Sequence, residues 1–262
     1  MAAATQRTKS EPPRPGRTLR RFLSDRRVTA IFLIVFALFG IVPALPRVVS
    51  EAALLPARPA LERVHRGEIL DAPTQADVTE ALVQARRFQP SSAEIAFNTA
   101  LMSLNGIRRD GLADAANDPR LQSAIGDLEA GLEMRPADGF AWALLAQARR
   151  VRDGTVNEGV LRALQDSYYV GPFDHGAMLA RMEVTLPGWR QLDDDLRAFA
   201  QREVLELWRR SWDDQKLIIA LTCRAGAVAA LSDALRSDDK ARAEFDQFYE
   251  PYLSPEGCKK GI

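Results

Sequence analysis

Residues 28–45, VTAIFLIVFALFGIVPAL, carry no charge at all. An apolar helix of about 18–20 residues spans the roughly 30 Å hydrocarbon core of a bilayer. This run therefore constrains the chain before any motif does. Arg7, Lys9, Arg14, Arg17, Arg20, Arg21, Arg26 and Arg27 precede it, and only Arg47, Arg58 and Arg63 follow within a comparable distance. The excess of cations before the run predicts a cytoplasmic N-terminus and a distal portion across the membrane. A cleaved signal peptide, cut near Ser50, is the rival. Its apolar core would normally hold about 7–15 residues before a clean small-residue site, and neither condition is met. The expectation is a single-pass protein of a bacterial inner membrane, with a basic tail over 1–27 and a membrane helix over 28–45. The tail (Glu11, Pro12, Pro13, Arg14, Pro15, Gly16) is rich in proline and charge and is expected to be disordered.

The 35 basic residues are matched by 35 acidic ones. With no net charge, the chain has no global field for holding nucleic acid. Cys223 and Cys258 are the only cysteines. A bridge between them is permitted in a periplasm. Even so, Cys258 reads as part of a flexible tail over 253–262, and two unpaired thiols are the expectation.

Beyond the membrane helix, strand signals are scarce and helical spacing recurs. Val78, Leu82 and Ala85 share a face, as do Leu121, Ile125, Leu128 and Leu132. Leu192, Leu196, Phe199, Val204 and Trp208 form a third stripe. Ser211 with Asp214 has the form of a capping box. The predicted fold class is all-α. The organisation expected is a juxtamembrane helix and linker over 46–74, helical repeats over 75–186 and further helices over 187–252.

A phrase recurs at Phe88-Gln-Pro90, Met134-Arg-Pro136 and Val170-Gly-Pro172, each followed by a polar cap. The prolines stand 46 and 36 residues apart, near the period of helix-pair repeats. Proline stops one helix and is tolerated early in the next. Around Pro136, Ala124, Leu128 and Gly131 supply small, large and small positions, and Trp142, Leu145 and Ala146 follow. This segment resembles the tetratricopeptide repeat (TPR), with Gly106 to Pro119 read as an inserted loop and Arg149 departing from the usual aromatic. The resemblance implies about three degenerate units and a helix-hairpin solenoid. It also implies that Trp142 fills the groove between helices.

The chain further resembles the VpsP-like proteins of bacterial exopolysaccharide loci. The residues that carry this are Leu55, Pro56, Ala57, Arg58, Pro59, Ala60, Leu61, Glu62 and Arg63, then Arg135-Pro136 with Phe140, Ala141, Trp142 and Ala143. Leu164, Gly171-Pro172 and Leu205, Glu206, Leu207 and Trp208 complete them. The resemblance implies a periplasmic scaffold whose partners are proteins of a polysaccharide synthesis or export machine. An assembly factor of the cytochrome c maturation type and a glycan-binding protein are the alternatives.

No residues promise catalysis, a cofactor or a metal. There is no glycine-rich phosphate loop, no nucleophile elbow and no His-Glu-x-x-His. His65 and His175 stand without a second ligand nearby. Asp193, Asp194 and Asp195 are expected at a helix start, where the dipole favours acids. Trp142, Tyr168, Trp189, Trp208 and Trp212 are expected mainly in the core. Tyr169 and Phe173, beside a repeat junction, are the candidate partner-binding residues.

Overall fold

The computed structural model describes residues 26–111, 115–172 and 174–260. Among these the chain is helical throughout, with no strand, as the spacing predicts. It divides into Met1–Val49 and Ser50–Ile262.

In the first unit, the basic tail lies outside the described residues up to position 25. Helix α1, Arg26–Leu54, begins in this unit. Ile31, Phe32, Leu33, Ile34, Val35, Phe36 and Phe39 are all exposed along it. Among the described residues no helix is long and apolar enough to cross a membrane. Several side chains of the run, at 28, 38, 40, 41 and 43, lie outside the description. The crossing expected for 28–45 is thus carried by the sequence alone.

The second unit holds α2 (Arg58–His65), α3 (Ala72–Phe88), α4 (Ala93–Asp110) and α5 (Pro119–Met134). These are followed by α6 (Gly139–Asp153), α7 (Glu158–Val170), α8 (His175–Thr185) and α9 (Asp194–Arg210). The chain continues through α10 (Trp212–Ala225), α11 (Val228–Leu235), α12 (Asp239–Phe248) and α13 (Pro255–Lys260). Side-chain caps open most of them. Asp71, Ser92, Asp118, Asp138, Asn157, Asp174, Asp193, Ser211 and Asp238 each accept a backbone N–H at the helix they precede. One such cap contributes about 1 kcal/mol. Asp193 caps α9, with Asp194 and Asp195 in its first turn, as expected. Ser211 caps a helix that starts at Trp212 rather than after the box.

The three proline junctions share one backbone geometry. The residues closing α3, α5 and α7 have φ, ψ of −136°, 69° at Gln89, −138°, 74° at Arg135 and −141°, 57° at Gly171. Each donates its N–H four residues back, to Ala85, Gly131 or Ser167. Pro90, Pro136 and Pro172 then occupy the turns, ahead of the caps Ser92, Asp138 and Asp174 rather than inside the next helix.

Packing follows sequence order. Helix α4 pairs with α5 and α6 with α7, while α6 also packs on α5 and α8. Close approach demands small residues. A Cβ on Gly131 would lie 2.3 Å from the Phe97 ring, which locks α5 onto α4. A Cβ on Gly139 would meet Gly171 Cα at 2.9 Å, where the start of α6 touches the end of α7. Gly106 lies within α4, so the irregular segment after it begins only at Gly111, shorter than the loop expected from Gly106. Ala124, Leu128 and Leu132 are buried beside Gly131. Trp142 departs from the expectation. It is half-buried, and its indole N–H donates to the Pro136 carbonyl at 2.8 Å.

The C-terminal helices gather around Trp208, which is fully buried and donates to Glu244 at 3.0 Å. Two expectations fail here. Residues 253–260 are no loose tail, because Leu253 is buried and α13 follows it. The cysteines are also not free: Cys223 and Cys258 form a disulfide, with Cα atoms 5.3 Å apart. It closes a loop of 35 residues, which stabilises by about 3–4 kcal/mol in the chain-entropy account. The bridge was illegible because it depends on where α13 folds back.

Candidate functional site

Helices α4, α6 and α8 line a cleft of about 360 Å³. Helical spacing builds two of its walls. Leu104, Ile107 and Arg108 come from α4, and Gln147, Arg150 and Val151 from α6, each set at i, i+3 and i+4. Such positions lie on one side of a helix. Met182 and Glu183 of α8, Ile69 of the linker and Leu221 and Arg224 of α10 close the rest.

The charges in this cleft are unevenly paired. Glu183 forms an ion pair with Arg108 and accepts a hydrogen bond from Gln147, so one carboxylate ties α4, α6 and α8. Both members of the pair are largely buried. Arg150 has no ion pair among the described residues, and its Nε is buried without a hydrogen-bond partner there. Burial pulls the pKa of its guanidinium down, against the pull of Glu183, and Arg108 adds to the lowering. It nevertheless stays protonated, as arginine does throughout the accessible range. Arg224 is exposed at the rim. Three arginines against one glutamate leave the lining two charges positive.

On the far side of α8 lies a second polar group, sealed from water. Arg181 is fully buried. Its Nε donates to Glu203 at 2.8 Å, and one terminal nitrogen donates to the Ser167 hydroxyl at 3.0 Å and the Gly171 carbonyl at 3.1 Å. Tyr168 donates to the other Glu203 oxygen at 2.8 Å, and its ring lies 4.5 Å from the guanidinium. Burial pushes the Glu203 carboxyl up to about 7, although Arg181 and Tyr168 pull it down. A carboxyl so placed suits proton transfer. Glu203, however, is only 4% exposed and lines none of the cavities described. This knot clamps α7, α8 and α9.

Neither group offers a reacting pair. The oxygens of Glu183 are occupied by Arg108 and Gln147, and no serine, cysteine or histidine lines the large cleft. Among the described residues no three histidine, cysteine or acidic side chains converge as metal ligands would. The surplus positive charge of the lining suits an anion.

Tyr169 is exposed on α7, outside the cleft. Phe173 lies outside the described residues. Tyr168, Trp189 and Trp208 are core, and Trp212 is exposed. His65 bonds the Leu61 carbonyl and packs 5.0 Å from Phe140. His175 is the first residue of α8. Sequence reasoning missed Arg108, Gln147, Arg150 and Glu183. The one local signal was an arginine sharing a helix face with aliphatic residues in α4 and in α6.

No protein-family model, no curated protein and no solved structure matches the chain.

Proposed function

We propose that this protein is a membrane-anchored scaffold, whose TPR-like helix pairs hold proteins of a polysaccharide synthesis or export machine in the periplasm. The face shared by α4, α6 and α8 carries the reading. Stacked helix pairs leave a concave surface on their first helices, and such surfaces bind partners. Three junctions of one geometry support the repeat assignment. The anchor is supported by the uncharged run at 28–45 and its exposed side chains. A disulfide is at home in an oxidising compartment, which supports the periplasmic placement. The polysaccharide link comes from the resemblance to VpsP-like proteins. The glycan-binding alternative is weakened by a cleft lined with aliphatic side chains and no aromatic ring.

Deletion of the gene tests this. Surface polysaccharide should fall or change, and return with the full chain but not with one lacking residues 75–186. Polysaccharide unchanged in the deletion strain would overturn the reading.

A further inference from the structure

We infer that the cleft between α4, α6, α8 and α10 is a binding site for a small amphiphilic oxyanion, a carboxylate or phosphate bearing an aliphatic chain. Its volume of about 360 Å³ falls in the range of small-molecule sites, about 300–1,000 Å³.

The lining divides the ligand into two parts. Leu104, Ile107, Val151, Met182 and Leu221 offer aliphatic contact. With no ring among them they suit a hydrocarbon chain rather than a sugar face. Arg150 supplies the head-group contact. A guanidinium presents five donors and cannot shed its charge, and its planar fork matches carboxylate and phosphate oxygens. That side chain is half-buried with a buried Nε unsatisfied among the described residues. The side chain lines the cleft and no described carboxylate pairs with it, so an oxyanion there would supply the missing counter-charge. Arg224 at the rim adds a second cation that raises the rate of encounter.

Arg108 does not compete for this role, because Glu183 already neutralises it. Glu183 in turn cannot bind a cation while both Arg108 and Gln147 hold it. The arrangement leaves Arg150 and Arg224 without a counter-charge in the lining, next to an aliphatic wall. The inference stands on the cleft alone, whichever envelope system the protein serves.

Titration of the purified full-length chain in lipid discs, with empty discs subtracted, tests it. The probes are octanoate, octyl phosphate and the uncharged octanamide. At least one anion should bind about tenfold or more tightly than octanamide, a difference of about 1.4 kcal/mol. Octyl phosphate as the only binder would identify a lipid-type head group, and octanoate as the only binder an acyl carboxylate. Either supports the site. Arg150→Gln should weaken the anion about tenfold or more, and the exposed Arg224→Gln should weaken it less. Because Arg224→Gln lies at the surface, it remains informative if Arg150→Gln misfolds. Equal binding of octanamide, binding indifferent to both substitutions, or no binding of either anion overturns the proposal.

Discussion

Arg181 and Glu183 stand two residues apart on α8, so their side chains leave the helix on nearly opposite sides. Arg181 meets Glu203 and Glu183 meets Arg108: the same pair of chemistries, reversed in direction. Their surroundings differ. On the Arg181 side the guanidinium lies against Glu203, and Tyr168, Ser167 and the Gly171 carbonyl add hydrogen bonds, leaving one buried terminal nitrogen without a hydrogen-bond partner among the described residues. On the Glu183 side one glutamate faces three arginines and the space is open. Paired groups in a dry interior hold helices together. Surplus charge beside a cavity is available to something else. One helix thus separates a buried clamp from an open, positively charged cleft.

The sharpest way to break this comparison is Glu203→Leu. It strands the buried Arg181 guanidinium, which cannot neutralise itself by losing a proton. Breaking a buried pair costs about 3–5 kcal/mol, a large part of the 5–15 kcal/mol typical of a domain. Thermal melting should show it. The double change Arg181→Met with Glu203→Leu should recover most of the loss, as apolar replacements of buried pairs do. A single variant that melts like the parent would mean that the knot is not sealed.

Next in size is a pH effect. Glu203 keeps its proton up to about pH 7 in the fold, against an ordinary value of 4.5. Between those values the folded state binds a proton that the unfolded state has released. Stability therefore falls as pH rises from about 4.5 to about 7. The contribution is on the order of 3 kcal/mol at most. Glu203→Gln should flatten the melting temperature across that window. An unchanged slope in Glu203→Gln would place the titration elsewhere. Asp71, Asp110, Asp118, Asp153 and Asp238, held below the usual carboxylate range by hydrogen bonds and arginines, act in the opposite sense. Their contribution is lost only as pH falls below about 4.

Glu183→Gln should have the smallest effect on folding, about 1.5–3 kcal/mol, the worth of one hydrogen bond to a charged group. It also removes the only negative charge of the cleft, so octanoate or octyl phosphate should bind more tightly. Opposite signs for stability and anion affinity would separate this pair from the knot, where every loss only destabilises. A parallel fall in both would merge the two regions into one structural network.

What the sequence made legible is local. The caps at Asp193 and Ser211 are written within four residues, and the proline junctions repeat a short phrase. The helical stripes through Leu121 to Leu132 and Leu192 to Trp208 need only a period. Tertiary matters escaped. Arg181 and Glu203 look like surface charges on amphipathic helices, because no period tells a paired buried ion from a solvated one. Trp142 matches a repeat position, yet its ring is half-buried and its indole N–H donates to the Pro136 carbonyl. The cleft depends on α10 closing a face built by α4, α6 and α8, a contact between segments more than a hundred residues apart in the chain. Tyr169 was singled out for its place beside a junction, and it is exposed, but the unpaired cations lie elsewhere.

The most direct test of the central claim is complementation of the deletion strain by the double variant Arg150→Gln with Arg224→Gln. Arg224 is exposed, where a substitution changes stability by about 0.5 kcal/mol or less. Removing the Arg150 guanidinium takes away a buried donor that has no partner, and neither arginine has an ion pair to lose among the described residues. The account predicts a chain that accumulates and melts like the parent yet fails to restore surface polysaccharide. Full restoration by the double variant would contradict it, because the cleft's surplus charge would then have no role in function.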